Sequence, residues 1–349
     1  MGLVIKAGES MTIREIAAQC GVSAATVDRV INGRGKVHPD TEVRVLAALE
    51  KAGYTKNIAA RALAIRKDAP VVGVVLSSRG NPFFDEVLGG IASAEAELAD
   101  YGMSVKLALM RGYNPERQLA LISELEEEIS ALVLHPIDNS AVMEKIADLA
   151  ERDIPTVTVN SDLEGSRRRC YVGSDYERGG RTAAGLMHLV VQQKARLGVL
   201  TGVETVQGHR QRLRGFESHL QSIAPYIHIV ARESAEDDDE SAYAATRAMI
   251  RADPQIDTLM LIAAGLTGVC EAIIDMKMDH SIRLFAFDNI PATHGMLRKG
   301  LLKGVVCQQP FRQGHLAIHA AKDLILSGSP TSEKIIMENQ IRILENLEE

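Results

Sequence analysis

The residues of this 349-residue chain best suited to chemistry are arranged for binding, with no catalytic motif among them. The first candidate strand runs into "LSSRGNPFFDEV", which holds a single glycine and no GxGxxG, so a dinucleotide has no cradle there. GxxxxGKS/T, GxSxG and HExxH are absent, and the ten histidines are scattered. The acidic run "EDDDE" at 236–240 reads as a solvated helix entrance. No enzymatic activity, no cofactor and no metal site is therefore expected. The polar residues at the carboxyl ends of the candidate strands form a more coherent set. They are Asn81 with Phe83 and Phe84, His135, Asn160 with Ser161, Asp288 and Gln308, joined by Arg212 on a helix. An aromatic pair with amides, a hydroxyl, a guanidinium and a carboxylate suits a sugar or polyol. Its C–H face lies on a ring, and its hydroxyls bond to planar polar groups.

The elements that must position these residues follow from hydropathy. From Val71 onward, apolar runs alternate with amphipathic stretches: "VVGVVLSS", "SVKLALM", "ALVLHP", "IPTVTVNS", "RLGVLTG", "IHIVARES", "DTLMLIAA", "RLFAFDN" and "LKGVVCQQP". Strands so uniformly apolar are covered on both faces, which means parallel sheets built from βαβ units. About ten strands exceed one simple doubly wound sheet, so two lobes of similar topology are expected. "SDYERGGRTAAGLMHLVVQQK" is expected to form a helix near their junction. Ligands of such sheets gather at the carboxyl ends of the strands, where the polar set falls.

Residues 11–53 read as three short helices. Thr12 and Glu15 form a capping box, and Ile13, Ile16, Ala17 and Cys20 give the first helix an apolar face. Gly21 allows a tight turn. Ser23 can cap a second helix that buries Ala24 or Thr26, then Val27, Val30 and Ile31. Pro39 fits the first turn of a third helix, which Gly53 ends. Residues 11–67 hold ten Lys/Arg against five Asp/Glu, a net +5, and residues 1–10 are neutral. Of the total −7, residues 68–349 therefore carry −12. A basic head on an acidic body is expected where only the head meets nucleic acid.

No run approaches 18 apolar residues, so no membrane span is expected. The "LVI" within residues 1–10 is too short for a signal-peptide core. Met11 is a candidate natural start, with residues 1–10 a disordered extension. Cys20, Cys170, Cys270 and Cys307 lie far apart without zinc or CxxC spacing, which predicts reduced thiols in a cytoplasmic protein.

"TIREIAAQCGVSAATVDRVING" followed by "AALEKAGYTKN" and "ARALA" resembles the head of the LacI/GalR family of bacterial transcription regulators. The βα body is similar to that family's effector domain and to periplasmic sugar-binding proteins. The resemblance implies a small all-α helix-turn-helix DNA-binding domain at 11–56 and a hinge helix and linker at 57–69. An α/β, two-lobed, periplasmic-binding-protein-like domain of doubly wound parallel sheets would fill 70–349, serving ligand binding and dimerisation. By resemblance Ala24 and Ala25 face base edges, Thr26 and Arg29 meet phosphate or bases, and Asn32 meets the backbone. Thr12, Ser23 and Asn57 complete the set. In the hinge helix Leu63 would wedge into the minor groove, with Ala60 at the helix–helix contact.

Several positions depart from the family's pattern. Two alanines can make only apolar contact, for instance with a thymine methyl. Asp28 stands where many relatives have serine, and Lys56 where they have proline. In the body, "NPFF" is similar to the first ligand loop of ribose-type binding proteins. His135 falls where asparagine is frequent, Asn160-Ser161 replaces an Asp-Arg pair, and "LIAAG" lacks an Asn or Asp near Ala263. The tail "ENQIRILENLEE" is too short for a tetramerising leucine heptad array, so a homodimer is expected. The implied function is a cytoplasmic, homodimeric repressor that grips a pseudo-palindromic operator in double-stranded DNA. Its control would come from a small carbohydrate or polyol effector, as inducer or corepressor. A transport-type sugar carrier would need an export signal, and a sugar-converting enzyme an acid–base pair.

Overall fold

A computed structural model describes residues 11–32, 37–52, 69–77, 81–204 and 206–347. Asn57, Ala60, Leu63, the expected hinge helix and residues 1–10 lie outside these, as does the side chain of Asn32. The head comprises α1 (Ile13–Cys20), α2 (Ala24–Asn32) and α3 (Pro39–Lys51). The capping box is present. Thr12 Oγ1 accepts from the Glu15 amide at 3.3 Å, and Glu15 Oε2 accepts from the Thr12 amide at 2.7 Å. Gly21 ends α1 in the left-handed region (φ 62°), which glycine adopts without a Cβ penalty. The chain then re-enters helix after three residues. Ser23 Oγ accepts from the Thr26 amide at 3.1 Å, capping α2. Ile16, Ala17, Cys20, Val27, Val30, Val45 and Ala48 close a small core. Thr26 is half-buried and Ala24 exposed, which settles the alternative left by periodicity.

The body holds two six-stranded sheets. The first lobe contains β1 (Val71–Ser77), α4 (Phe83–Leu98), β2 (Ser104–Met110), α5 (Pro115–Leu125), β3 (Ala131–Leu134), α6 (Ser140–Glu151), β4 (Thr156–Asn160) and β5 (Cys170–Ser174). The second contains α7 (Tyr176–Val190), β6 (Ala195–Thr201), α8 (Gln207–Ile223), β7 (Ile227–Ser234), α9 (Asp239–Ala252), β8 (Thr258–Leu261), α10 (Leu266–Asp275), β9 (Arg283–Phe287), α11 (Pro291–Arg298) and β10 (Leu302–Cys307). The chain returns to the first lobe for α12 (Pro310–Ser327) and β11 (Lys334–Met337), then crosses back for β12 (Gln340–Arg342).

Strand order is β11-β5-β4-β3-β1-β2 in one lobe and β12-β10-β9-β8-β6-β7 in the other. Every pair is parallel except β12 on β10. The described residues thus hold twelve strands where about ten were expected. "CYVGS", "KIIM" and "QIR" were not among the apolar runs picked out by hydropathy; β11 and β12 form one edge of each sheet, and β5 links β11 to β4. The junction helix forms as expected. Two glycines bring it against α8: a Cβ on Gly180 would stand 2.0 Å from the Arg212 carbonyl oxygen, and one on Gly215 2.1 Å from that of Glu177. Backbone therefore meets backbone, and Arg212 is carried by a helix that cannot drift away from the crossover.

All four cysteines are buried and free. Among the described residues, no helix is long and apolar enough to cross a membrane.

Candidate functional site

The carboxyl ends of both sheets face a cavity of about 740 Å³ between the lobes. The chain passes between lobes at Ser174–Asp175, Gln308–Gln309 and Glu338–Asn339, and these crossings are tied together. Gln309 Nε2 donates to the Glu338 carbonyl at 2.7 Å, and Asn339 Nδ2 to the Asp175 carbonyl at 3.4 Å. Away from the crossings, the Arg210 guanidinium reaches Asp138 across the cleft at 3.1 Å. Both side chains are nearly half exposed, so that pair contributes little.

Eight of the nine residues expected to bind ligand line the cavity: Asn81, Phe83, Phe84, His135, Asn160, Arg212, Asp288 and Gln308. Asn81 Oδ1 accepts from the Phe83 amide at 3.0 Å and so starts α4 with the two rings turned inward. Phe83 and Phe84 also belong to the first lobe's core, and Phe84 packs 4.9 Å from the His135 ring. Asn160 and Asp288 both take left-handed backbone (φ 63° and 68°) where their strands end, a conformation Asn and Asp tolerate best after glycine. The Asn160 carbonyl accepts from Tyr171 at 2.9 Å and Tyr176 at 2.6 Å.

Ser161 is the exception. It stands behind His135, its hydroxyl 3.2 Å from Nε2, and does not form part of the cavity wall. Its place one residue beyond the left-handed turn directs it away from the cleft, so its role is to orient the imidazole.

At the other wall Arg212 is 3% exposed, donates to the Ile262 carbonyl, and lies 3.9 Å over the Phe287 ring. Gln308 Nε2 donates to both Asp288 oxygens, at 2.8 and 3.0 Å. Burial raises the Asp288 pKa, against the opposing pull of Arg212 and the Gln308 hydrogen bond. Ser77 Oγ, His135 Nδ1 and Gln308 Oε1 are buried without a hydrogen-bond partner. Such atoms in a cavity wall are matched by a ligand rich in hydroxyls.

Among the wall residues that escaped the sequence reading are Ser77, Tyr113, Tyr176, His209 and Asp237. The strand-end rule that found Asn81 also covers Tyr113, three residues past β2. Tyr176 opens the junction helix, and His209 lies one turn before Arg212. Asp237 corrects the reading of "EDDDE" as wholly solvated. Asp238 does cap α9, accepting from the Ser241 amide at 2.9 Å. Glu236 and Asp237, however, have φ 49° and 59°. That turn buries the Asp237 side chain to 9% exposure, where it accepts from the Val203 and Ala264 amides and faces His209 at 3.6 Å. Burial lowers the His209 pKa, and Asp237 opposes the shift.

Burial, with His209 nearby as a like charge, pushes the His135 imidazole down to about 4. A histidine pKa depressed by folding means the unfolded chain binds the proton more readily. The stability this confers is complete at neutral pH and is lost as pH falls from about 6.5 toward about 4. Urea denaturation at about pH 4.5 and pH 7.5 should show wild type losing about 2–3 kcal/mol more than His135→Asn. Equal losses in the two proteins would refute a buried neutral imidazole.

In the head, Ala24, Ala25 and Arg29 are exposed on α2. The Thr26 hydroxyl lies 2.9 Å from that of Ser23, and Thr12 is held in its capping box. Two of the expected DNA contacts, Thr12 and Ser23, thus also cap helices.

Two family models match the chain. Residues 12–57 match the model of bacterial regulatory proteins of the lacI family, and residues 72–329 that of a periplasmic binding protein domain. The HTH-type transcriptional regulator GalR of Salmonella typhimurium is 34% identical over 219 residues, 60% of each chain. The ribose import binding protein RbsB of Bacillus subtilis is 25% identical over 73% of this chain and 81% of its own length. Among solved structures, GanP, a glucose-galactose binding protein from Geobacillus stearothermophilus, superposes with a TM-score of 0.73. It is 22% identical and covers 80% of this chain and 99% of its own. With a lacI-type helix-turn-helix head on a periplasmic-binding-protein body, the chain belongs to the LacI/GalR family of bacterial regulatory proteins.

Proposed function

We propose that this protein is a sequence-specific DNA-binding transcription regulator, a homodimeric repressor, controlled by a small carbohydrate or polyol held between the lobes. The observation that carries the reading is the joining of two units in one chain. One is a three-helix head with an exposed second helix, followed by a basic stretch that brings residues 11–67 to a net +5; the other is a cleft walled by aromatic rings and partnerless buried polar atoms. Residues 11–56 would form the DNA-binding head, 57–69 the hinge, and 70–349 the effector and dimerisation domain. Two heads on one dimer meet half-sites about one helical turn apart, hence a pseudo-palindromic operator. Effector binding alters how far the lobes close, and DNA affinity changes only by the effector's differential affinity for the two states. The reading assigns no catalytic step. A transport carrier is disfavoured by the DNA-type head, although the body is shared with such proteins.

The test is a mobility-shift titration with DNA from upstream of the protein's own locus, with and without a panel of pentoses, hexoses and polyols. A saltable, sequence-dependent shift that one sugar weakens or strengthens by about fivefold or more is expected. Weakening identifies an inducer and strengthening a corepressor. Equal affinity for operator and unrelated DNA, or a shift that no sugar alters, would defeat the proposal.

A further inference from the structure

Outside the cleft, α4 and α12 bring together Glu97, His315 and His319, each offering a ligand atom within 4.8 Å of the others. His315 and His319 are four residues apart, hence on one face of α12, the spacing by which a helix presents two imidazoles to one ion. Glu97 Oε1 lies 3.7 Å from His315 Nε2, and Glu97 Oε2 lies 3.1 Å from His319 Nε2. That second approach is not a hydrogen bond: His319 Nε2 is buried and makes none. From these residues we infer that Glu97, His315 and His319 form a site for a divalent transition-metal ion such as Zn²⁺, Co²⁺ or Ni²⁺. Imidazole and carboxylate are the donors such ions take, and tetrahedral bonds near 2.0–2.1 Å set donors about 3.3 Å apart. The separations here bracket that value. Glu97 is half exposed, so solvent can complete the coordination.

The support is rigid. A Cβ on Gly90 would stand 1.9 Å from the Phe311 carbonyl oxygen, and one on Gly314 2.0 Å from that of Val87, so the two helices touch through their backbones. Phe311 stacks on His315 with ring centroids 6.3 Å apart and planes 14° apart. One neighbour opposes the ion. Lys322 Nζ lies 3.3 Å from His319 Nδ1, and its donation favours the tautomer with the proton on Nε2, while its charge repels a cation. Asp323, 3.6 Å from the same ammonium, is the partner to which it can turn. No metal was expected from the sequence because the carboxylate lies more than two hundred residues away from the imidazoles in the chain.

The experiment is Co²⁺ titration of the full chain, followed by visible absorption, with Zn²⁺ competition by calorimetry. One ion per chain with a four-coordinate cobalt spectrum is expected. His315→Gln, His319→Gln and Glu97→Gln should each weaken binding by at least about tenfold. Lys322→Gln, which removes the charge and offers an acceptor to Nδ1–H, should tighten it by about tenfold. The histidines are partly exposed, so their variants should fold, which unchanged circular dichroism would check. Absence of one-to-one binding, binding that survives all three ligand variants, or weaker binding by Lys322→Gln would each overturn the site.

Discussion

A chain beginning at residue 68 should lose operator affinity by about a thousandfold or more while holding its effector as tightly as the full protein. The expectation rests on where charge and cavity lie. Residues 11–67 carry a net +5 and residues 68–349 a net −12, so truncation leaves an acidic body that a polyanion repels. Every residue of the cavity wall lies at or after Ser77, so the cleft is retained. The slope of affinity on salt should vanish with the head, because phosphate contacts create it. A point variant separates loss of the head's fold from loss of its charge. Val27 is fully buried in the head core, and Val27→Asp places a carboxylate there without a partner. In the full-length chain this should abolish operator binding almost as completely, with effector affinity unchanged. Calorimetry and mobility shifts on the three proteins decide it. If truncation costs less than about tenfold in operator affinity, the body binds DNA and the domain assignment fails.

Arg212→Met should carry the largest effect on the effector side: a loss of affinity of about a hundredfold, with stability lowered by about 2–3 kcal/mol. Methionine keeps much of the volume and the contact with Phe287, so the change isolates the guanidinium. That group is buried, donates to the Ile262 carbonyl, and lowers the proton affinity of Asp288. Without it, Asp288 retains the Gln308 amide but loses its opposing charge, and its already raised pKa rises further. A carboxyl whose pKa is raised by folding favours the native state at low pH, and that contribution is lost as pH rises through the folded value. The variant should therefore lose stability with rising pH over a wider window than wild type. Denaturation from acid to neutral pH reads this, while sugar titration reads affinity. Unchanged affinity would remove Arg212 from the ligand site. A parallel pH dependence in both proteins would remove its coupling to Asp288.

Much of this protein could be read without coordinates. "VVGVVLS", "ALVL", "TLML" and "RLFAF" announce buried parallel strands because both faces of each are apolar, a property of neighbouring residues alone. The head is legible for the same reason: the Thr12–Glu15 box, Gly21 and the spacing of Ile16, Ala17 and Cys20 act within a turn or two of chain. Seven of the eight expected residues that line the cleft came from strand ends, since polar groups follow the apolar runs directly; the eighth, Arg212, is carried by a helix. The short strands "CYVGS", "KIIM" and "QIR" were missed because pairing partners, not hydropathy, make them strands.

What sequence alone determined, then, is the pairing of a helix-turn-helix head with an α/β body, and the chemical class of the cleft. Tertiary structure decided which polar groups share one space. Ser161 turns behind His135, whereas Asp237 turns inward through two left-handed residues to meet loops 34 and 27 positions away. Glu97 meets His315 and His319 only because Gly90 and Gly314 let two helices touch. The physical reason is common to these cases. Periodicity and capping act over a few residues and leave a local trace. Convergence of side chains depends on strand order, crossovers and backbone turns, which bring together positions with no local sign of one another.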